Sequence, residues 1–192
     1  MCDLSTGRLE PCKNGIGGIK SIYLMPFVKY RYYQIDVIEG VQLISFPSTN
    51  IYKYELRADG NTFDQSINFD SNGETYTQNL SVVLKKIDTL TNNELFKIAK
   101  RELRVIVETN LNTFFILGLR NGVTMDFNTT IGGANNSLNG YNLTFEATEK
   151  YLAPFIDNLQ DAGFIDSGDT VSVLASTDLI SSTSEICSII EI

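Results

Sequence analysis

Any chemistry in this chain has to come from carboxylates, Lys, Tyr or Cys, because its 192 residues include no His. That absence removes imidazole bases, His-ligated metals and the Ser-His-Asp and Cys-His arrangements. Gly15-Ile16-Gly17-Gly18-Ile19-Lys20-Ser21 groups glycines with Lys and Ser as a phosphate loop would. Such a loop needs Gly directly before Lys and a helix after it, whereas Ile19 precedes Lys20 and Ser21-Ile22-Tyr23-Leu24 reads as a strand. The glycines are better read as freedom for a strand to bend or approach a neighbour closely.

The carboxylates Glu55, Asp59, Asp64 and Asp70 fall on or near expected hairpins, where a solvated face or strand tip accounts for them, and none has the spacing of an acid–base pair. Asp166-Ser167-Gly168-Asp169 lacks the ligand spacing and closing Glu of a calcium loop. Cys12 beside Lys13 has no base or resolving thiol, and Cys2, Cys12 and Cys187 show no C-x-x-C spacing, so reduced, inert thiols are expected. No catalytic, cofactor-binding or metal-binding residue is assigned, and no enzyme is expected. The aromatic run Tyr30-Arg31-Tyr32-Tyr33 after Lys29 has the composition of a stacking platform for sugar or single-stranded nucleic acid, and equally of a subunit interface. The interface is preferred, with Tyr30, Tyr32, Tyr33, Tyr52, Tyr54, Phe63, Ile67 and Phe69 as its candidate residues.

The elements that would position these residues are mostly strands. Ile16 to Leu24 reads as a strand running to Pro26; Tyr32–Ile38 and Val41–Phe46 read as a hairpin about Glu39-Gly40. Ile51 to Arg57 alternates, with Tyr52, Tyr54 and Leu56 on one face. Asp59-Gly60 and Ser71-Asn72-Gly73 then predict a three-strand meander ending in Thr75 to Leu84. Thr91 with Glu94 predicts a capping box, Leu90 with Leu95 a hydrophobic staple, and the apolar spacing a helix over about 91–103. Arg104–Thr109 and Phe114–Leu119 predict another hairpin. A Gly/Asn-rich loop over Asn128 to Gly140 precedes a strand from Tyr141 to Glu146.

Charge divides the chain. Residues 1–150 carry 16 acidic and 15 basic groups, whereas residues 151–192 carry seven acidic groups and no Lys or Arg, giving the whole net charge of −8. We therefore expect a near-neutral β domain over 1–155 and an acidic C-terminal extension over 156–192, either an appended arm or a small strand pair. No basic block exists for static binding to a phosphate backbone, although a weakly acidic wall would let a polyanion slide past. The N-terminal residues have no apolar signal region and no stretch is long enough to span a bilayer, so a cytosol-like compartment and no membrane partner are expected. The sequons at Asn79, Asn128, Asn135 and Asn142 are accordingly read as chance products of an Asn-rich composition.

The order of elements carries a resemblance. Cys12-Lys13-Asn14-Gly15-Ile16-Gly17-Gly18-Ile19-Lys20, Thr75-Tyr76-Thr77-Gln78-Asn79-Leu80, Asn92-Asn93-Glu94-Leu95, Val105-Ile106-Val107-Glu108, Phe114-Phe115-Ile116-Leu117-Gly118 and Asn139-Gly140-Tyr141-Asn142-Leu143-Thr144-Phe145 follow one another in a series. It resembles small virion proteins of tailed bacteriophages infecting Bacteroidetes, the crAss-like phages among them, and is similar to the tail-tube fold over about residues 10–156. The resemblance implies a mainly β, α+β fold with one flanking helix, a β-sandwich or split barrel with long hairpins. It further implies a homo-oligomeric ring of six or twelve copies around a DNA channel, in the tail or neck of a virion assembled in the host cytoplasm. Neighbouring tail, neck or portal-proximal proteins would be its partners, and genomic DNA would pass transiently. A β-rich carbohydrate- or receptor-binding module using Tyr32, Tyr33, Tyr52 and Tyr54 is the alternative, and a carboxylate-only enzyme ranks last.

Overall fold

The computed structural model describes residues 16–28, 34–36, 40–42, 51–57, 59–71, 73–134, 137–156, 164–166 and 170–173. In chain order the elements are β1 (Ile19–Pro26), β2 (Gln34–Asp36), β3 (Gly40–Gln42), β4 (Ile51–Glu55), β5 (Thr62–Asp70), β6 (Gly73–Lys85), α1 (Thr89–Ile98), β7 (Leu103–Thr109), β8 (Phe114–Leu117), β9 (Thr124–Ile131), β10 (Asn139–Glu149), β11 (Phe155–Ile156), β12 (Phe164–Asp166) and β13 (Thr170–Val173). They form a mainly β fold with one helix. One antiparallel sheet runs β11-β8-β7-β1-β4-β13-β12, a second runs β5-β6-β10-β9, and β2 pairs with β3.

The two larger sheets enclose a common core. Ile22, Leu24, Val105, Val107 and Leu117 face it from one side, and Leu80, Val82, Leu143 and Phe145 from the other. Register makes this inevitable: Ile22 pairs with Val107 and Leu24 with Val105, while Leu80 pairs with Phe145, so the side-chain period of two puts each set on one face. The opposite face of the seven-stranded sheet is buried too, with Tyr23, Met25, Arg104, Ile106 and Ile116 all inaccessible. Its central strands therefore read as continuous apolar runs rather than alternating ones.

Several expectations are corrected. Asp59-Gly60 is a turn but not a hairpin: β4 pairs with β1 (Ile22 opposite Tyr54), so the turn carries the chain from one sheet into the other and only β5 and β6 form the predicted hairpin. The helix begins a turn earlier than the predicted cap. Asp88 is the N-cap, its carboxylate accepting from the Leu90 and Thr91 amides at 3.1 and 3.2 Å, and Leu90 is exposed rather than stapled. It also ends at Ile98 instead of 103, because Leu103 is claimed by β7, where it pairs with Pro26 and exchanges backbone bonds with Val123. Thr124–Ile131, not predicted as a strand, is β9 and consumes the start of the expected Gly/Asn loop.

The helix packs on the core shared by the two sheets. Leu95 is buried in the core, and the Tyr141 hydroxyl donates to the Asp88 carbonyl at 2.9 Å, tying the helix start to β10. β12 and β13 pair with each other, and β13 pairs with β4. The described part of the acidic extension thus includes a small strand pair, the second of the two forms expected of it.

Candidate functional site

Two places combine chemistry with a defined geometry. The first is the four-stranded sheet. Its outward face consists of rows of short polar side chains fixed by register: Thr62, Ser81, Thr144 and Asp126 in one row; Asp64, Asn79, Glu146 and Thr124 in the next; Ser66, Thr77 and Thr148 in a third. Asp64, Asp70, Asp126 and Glu146 make this face acidic, and Lys85 is its one basic side chain among the described residues. β5 and β9 are the two edges of the sheet among the described residues.

The inward face of the same sheet runs past its core. Phe63 is half-buried, its ring 4.5 Å from that of Phe115, but farther along the strand Ile67 is 45% and Phe69 75% exposed on that face. The segment after β10 passes beside them: the Gln65 Oε1 accepts from the Ala153 amide at 2.8 Å, and the Gln78 side chain donates to the Tyr151 carbonyl. Tyr151, Leu152 and Phe155 are also exposed there, and the Phe155 ring meets that of Phe115 edge-on at 6.0 Å. The result is an apolar strip rimmed by polar groups, the kind of surface a partner covers.

The other candidate residues are dispersed. Tyr52 is 44% exposed on β4. Tyr54 packs against the core, and burial, followed by the charge of Glu94 and the neighbouring Tyr52, holds its hydroxyl above the ordinary tyrosine range. Tyr30, Tyr32 and Tyr33 lie outside the described residues. The structure brings Phe63, Ile67 and Phe69 together on one hairpin; it does not join Tyr52 and Tyr54 to them.

The second place is not singled out in sequence as a cluster, Lys20 and Ser21 reading there only as part of a failed phosphate-loop motif. Between Ile19, opposite Thr109, and Ser21, opposite Glu108, the β1–β7 register slips by one, making Lys20 the extra residue of a β-bulge. A bulge re-aims side chains; here Lys20 and Ser21 both reach the Glu108 carboxylate, and the Tyr23 hydroxyl donates to its Oε2 at 2.8 Å. Glu108 is 4% exposed. Burial works to raise its proton affinity, but the donors Lys20, Ser21 and Tyr23 together hold its carboxyl below the usual carboxylate range. Lys20 also donates to Asn112 Oδ1 at 3.3 Å. A carboxylate closing the apolar run Val105-Ile106-Val107 was the available signal, since a buried strand leaves such a group in need of donors.

A crevice of about 20 Å³ lined by Gln78, Leu119, Arg120, Glu149, Tyr151, Leu152 and Pro154 has room for roughly one water. Among the described residues no group of three or more Cys, Asp or Glu is arranged to hold a metal. Comparison with protein-family models, curated proteins and solved structures returned no match to this chain.

Proposed function

We propose that the chain is a structural subunit that closes into a ring or tube, as its resemblance to tail-tube-like virion proteins implies. The observation that carries this reading is the four-stranded sheet whose two edges, β5 and β9, pair with no other strand among the described residues. Its strands alternate in direction, so β9 of one copy laid beside β5 of the next continues the antiparallel order. The edges are also offset along the strands. β5 lies opposite residues 73–81 of β6, whereas β9 is level, through β10, with residues 79–85. Closed sheets require such a stagger, because their strands tilt against the axis. Joining the edges satisfies backbone groups that an isolated copy leaves as a template for aggregation, and a head-to-tail contact that closes gives a ring.

In this reading the neighbour covers the strip around Ile67 and Phe69, and the rows of Thr, Ser, Asn and acidic side chains give a wall that repels a phosphate backbone. The ring would sit in the tail or neck of a tailed phage, in six or twelve copies, with DNA passing through and adjoining virion proteins above and below. Native mass spectrometry and electron microscopy of the purified chain test it. Closed rings with an open centre are the expected result; a strict monomer at high concentration that is also missing from particles overturns it.

A further inference from the structure

We propose that Lys20 and Asn112 form an intramolecular isopeptide bond, with Glu108 as the catalytic acid and base. The three groups are already in contact: the Lys20 ammonium donates to Glu108 Oε1 and, at 3.3 Å, to the Asn112 side-chain carbonyl oxygen. The amine and the carboxamide it would attack thus share one position, which is the chief requirement for an intramolecular reaction.

Each group is held by separate interactions. The bulge aims Lys20 at Glu108. Ser21 and Tyr23 both donate to Oε2 of Glu108 and so leave Oε1 to Lys20; they are positioning residues. Asn112 sits at φ 56° in the turn between β7 and β8, a left-handed conformation that Asn tolerates well. That turn is tightened by the Thr109 hydroxyl, which accepts from the Leu111 and Thr113 amides. It is clasped to the entry of β1 by the Asn110 amide on the Gly18 carbonyl and by the Asn110 side chain on the Gly17 carbonyl at 2.9 Å. Gly18 adopts φ +113°, and a Cβ there would stand 3.0 Å from the Asn110 side-chain nitrogen. Glycine at this position permits the close approach.

The reaction balances without a co-reactant. Glu108 takes one proton from the Lys20 ammonium, and the freed Nζ attacks Cγ of Asn112. Glu108 returns the proton to Nδ2 as the Cγ–Nδ2 bond breaks, and ammonia leaves, taking up the remaining proton as ammonium. An Nζ–Cγ amide replaces the primary amide, and nothing is oxidised or reduced. A bond made once in the life of the chain does not need turnover.

Intact-mass measurement of the full chain, before and after incubation in the folded state at neutral and mildly alkaline pH, tests the assignment. The expected product is lighter by one ammonia and, after digestion, yields a branched peptide joining the segments that contain Lys20 and Asn112. Lys20→Arg and Asn112→Ala must each abolish both signals, and Glu108→Gln must slow their appearance by roughly a hundredfold or more. Cyclisation at an Asn-Gly step also expels ammonia, so an ammonia loss that persists in Lys20→Arg, or that disappears on mild alkaline hydrolysis, overturns the proposal. So does an unchanged wild-type mass after prolonged incubation, an outcome that does not depend on whether Glu108→Gln folds.

Discussion

At Glu108, burial and hydrogen bonding pull proton affinity in opposite directions, and the donors win. A carboxyl whose folded-state pKa lies below its unfolded value, about 4.3 for Glu, adds stability that is fully present above the unfolded value. That stability is lost as pH falls through the folded one. The clean background for measuring this is Asn112→Ala, in which Lys20 stays an ammonium whatever the reactivity of the wild type. We expect Asn112→Ala/Glu108→Gln to be less stable than Asn112→Ala by about 2–3 kcal/mol at neutral pH, the scale of hydrogen bonds to a charged group. The gap should narrow below about pH 4, as read by denaturant unfolding. A gap that stays constant down to pH 2 would contradict the assigned role. Little of this cluster was legible in the sequence, because the donors to Glu108 come from 85 to 88 residues upstream. Local patterns carry no record of so distant a partner. Lys20 and Ser21 stood out only as fragments of a phosphate loop.

The elements that were readable are those whose partners are near in sequence. β5–β6 and β7–β8 are hairpins announced by turn residues between alternating or apolar runs. The helix was readable as a helix but not at its ends: Asp88 and Thr91 are both competent caps, and only the tie from Tyr141 to Asp88 favours the earlier one. The hidden strand β9 has Met125, Phe127, Thr129 and Ile131 on its inward face and Thr, Asn and Asp outward, so it resembles a loop until β10 pairs with it. The exit of the chain after β4 into the second sheet is likewise a tertiary event. Gly140 shows what the pairing of β10 demands, since a Cβ there would lie 2.0 Å from the Leu84 carbonyl oxygen of β6. We expect Gly140→Ala to lower stability by about 1–3 kcal/mol through displacement of that backbone. Chemical denaturation checks this, and a neutral effect would show that the two strands separate at no cost.

For the whole molecule, the surfaces left over after folding are the instructive part. Ile67 and Phe69 stand beyond the core, so Ile67→Lys together with Phe69→Lys should change monomer stability by no more than about 0.5 kcal/mol each. If these residues lie between copies, the same pair of changes dissolves rings seen by native mass spectrometry; rings that survive it would move the interface elsewhere. The acidic rows on the four-stranded sheet carry a second expectation: if that face lines the channel, assembled protein should not retard duplex DNA in a gel at moderate salt, since among the described residues the face offers only Lys85 from which counterions could be released. Strong retention would exclude a repelling wall. The bulged pairing of β1 with β7 has a consequence in time as well. It joins segments some 87 residues apart, and contacts of such high sequence separation form late and put folding in the range of milliseconds to seconds. The hairpin β5–β6 needs no such wait, nor does the pairing of β9 with β10. If copies join through β5 and β9, every new chain passes through an interval in which those edges exist before the sheet that anchors them, and the concentration of newly made subunits during that interval sets the choice between ordered closure and tangled association.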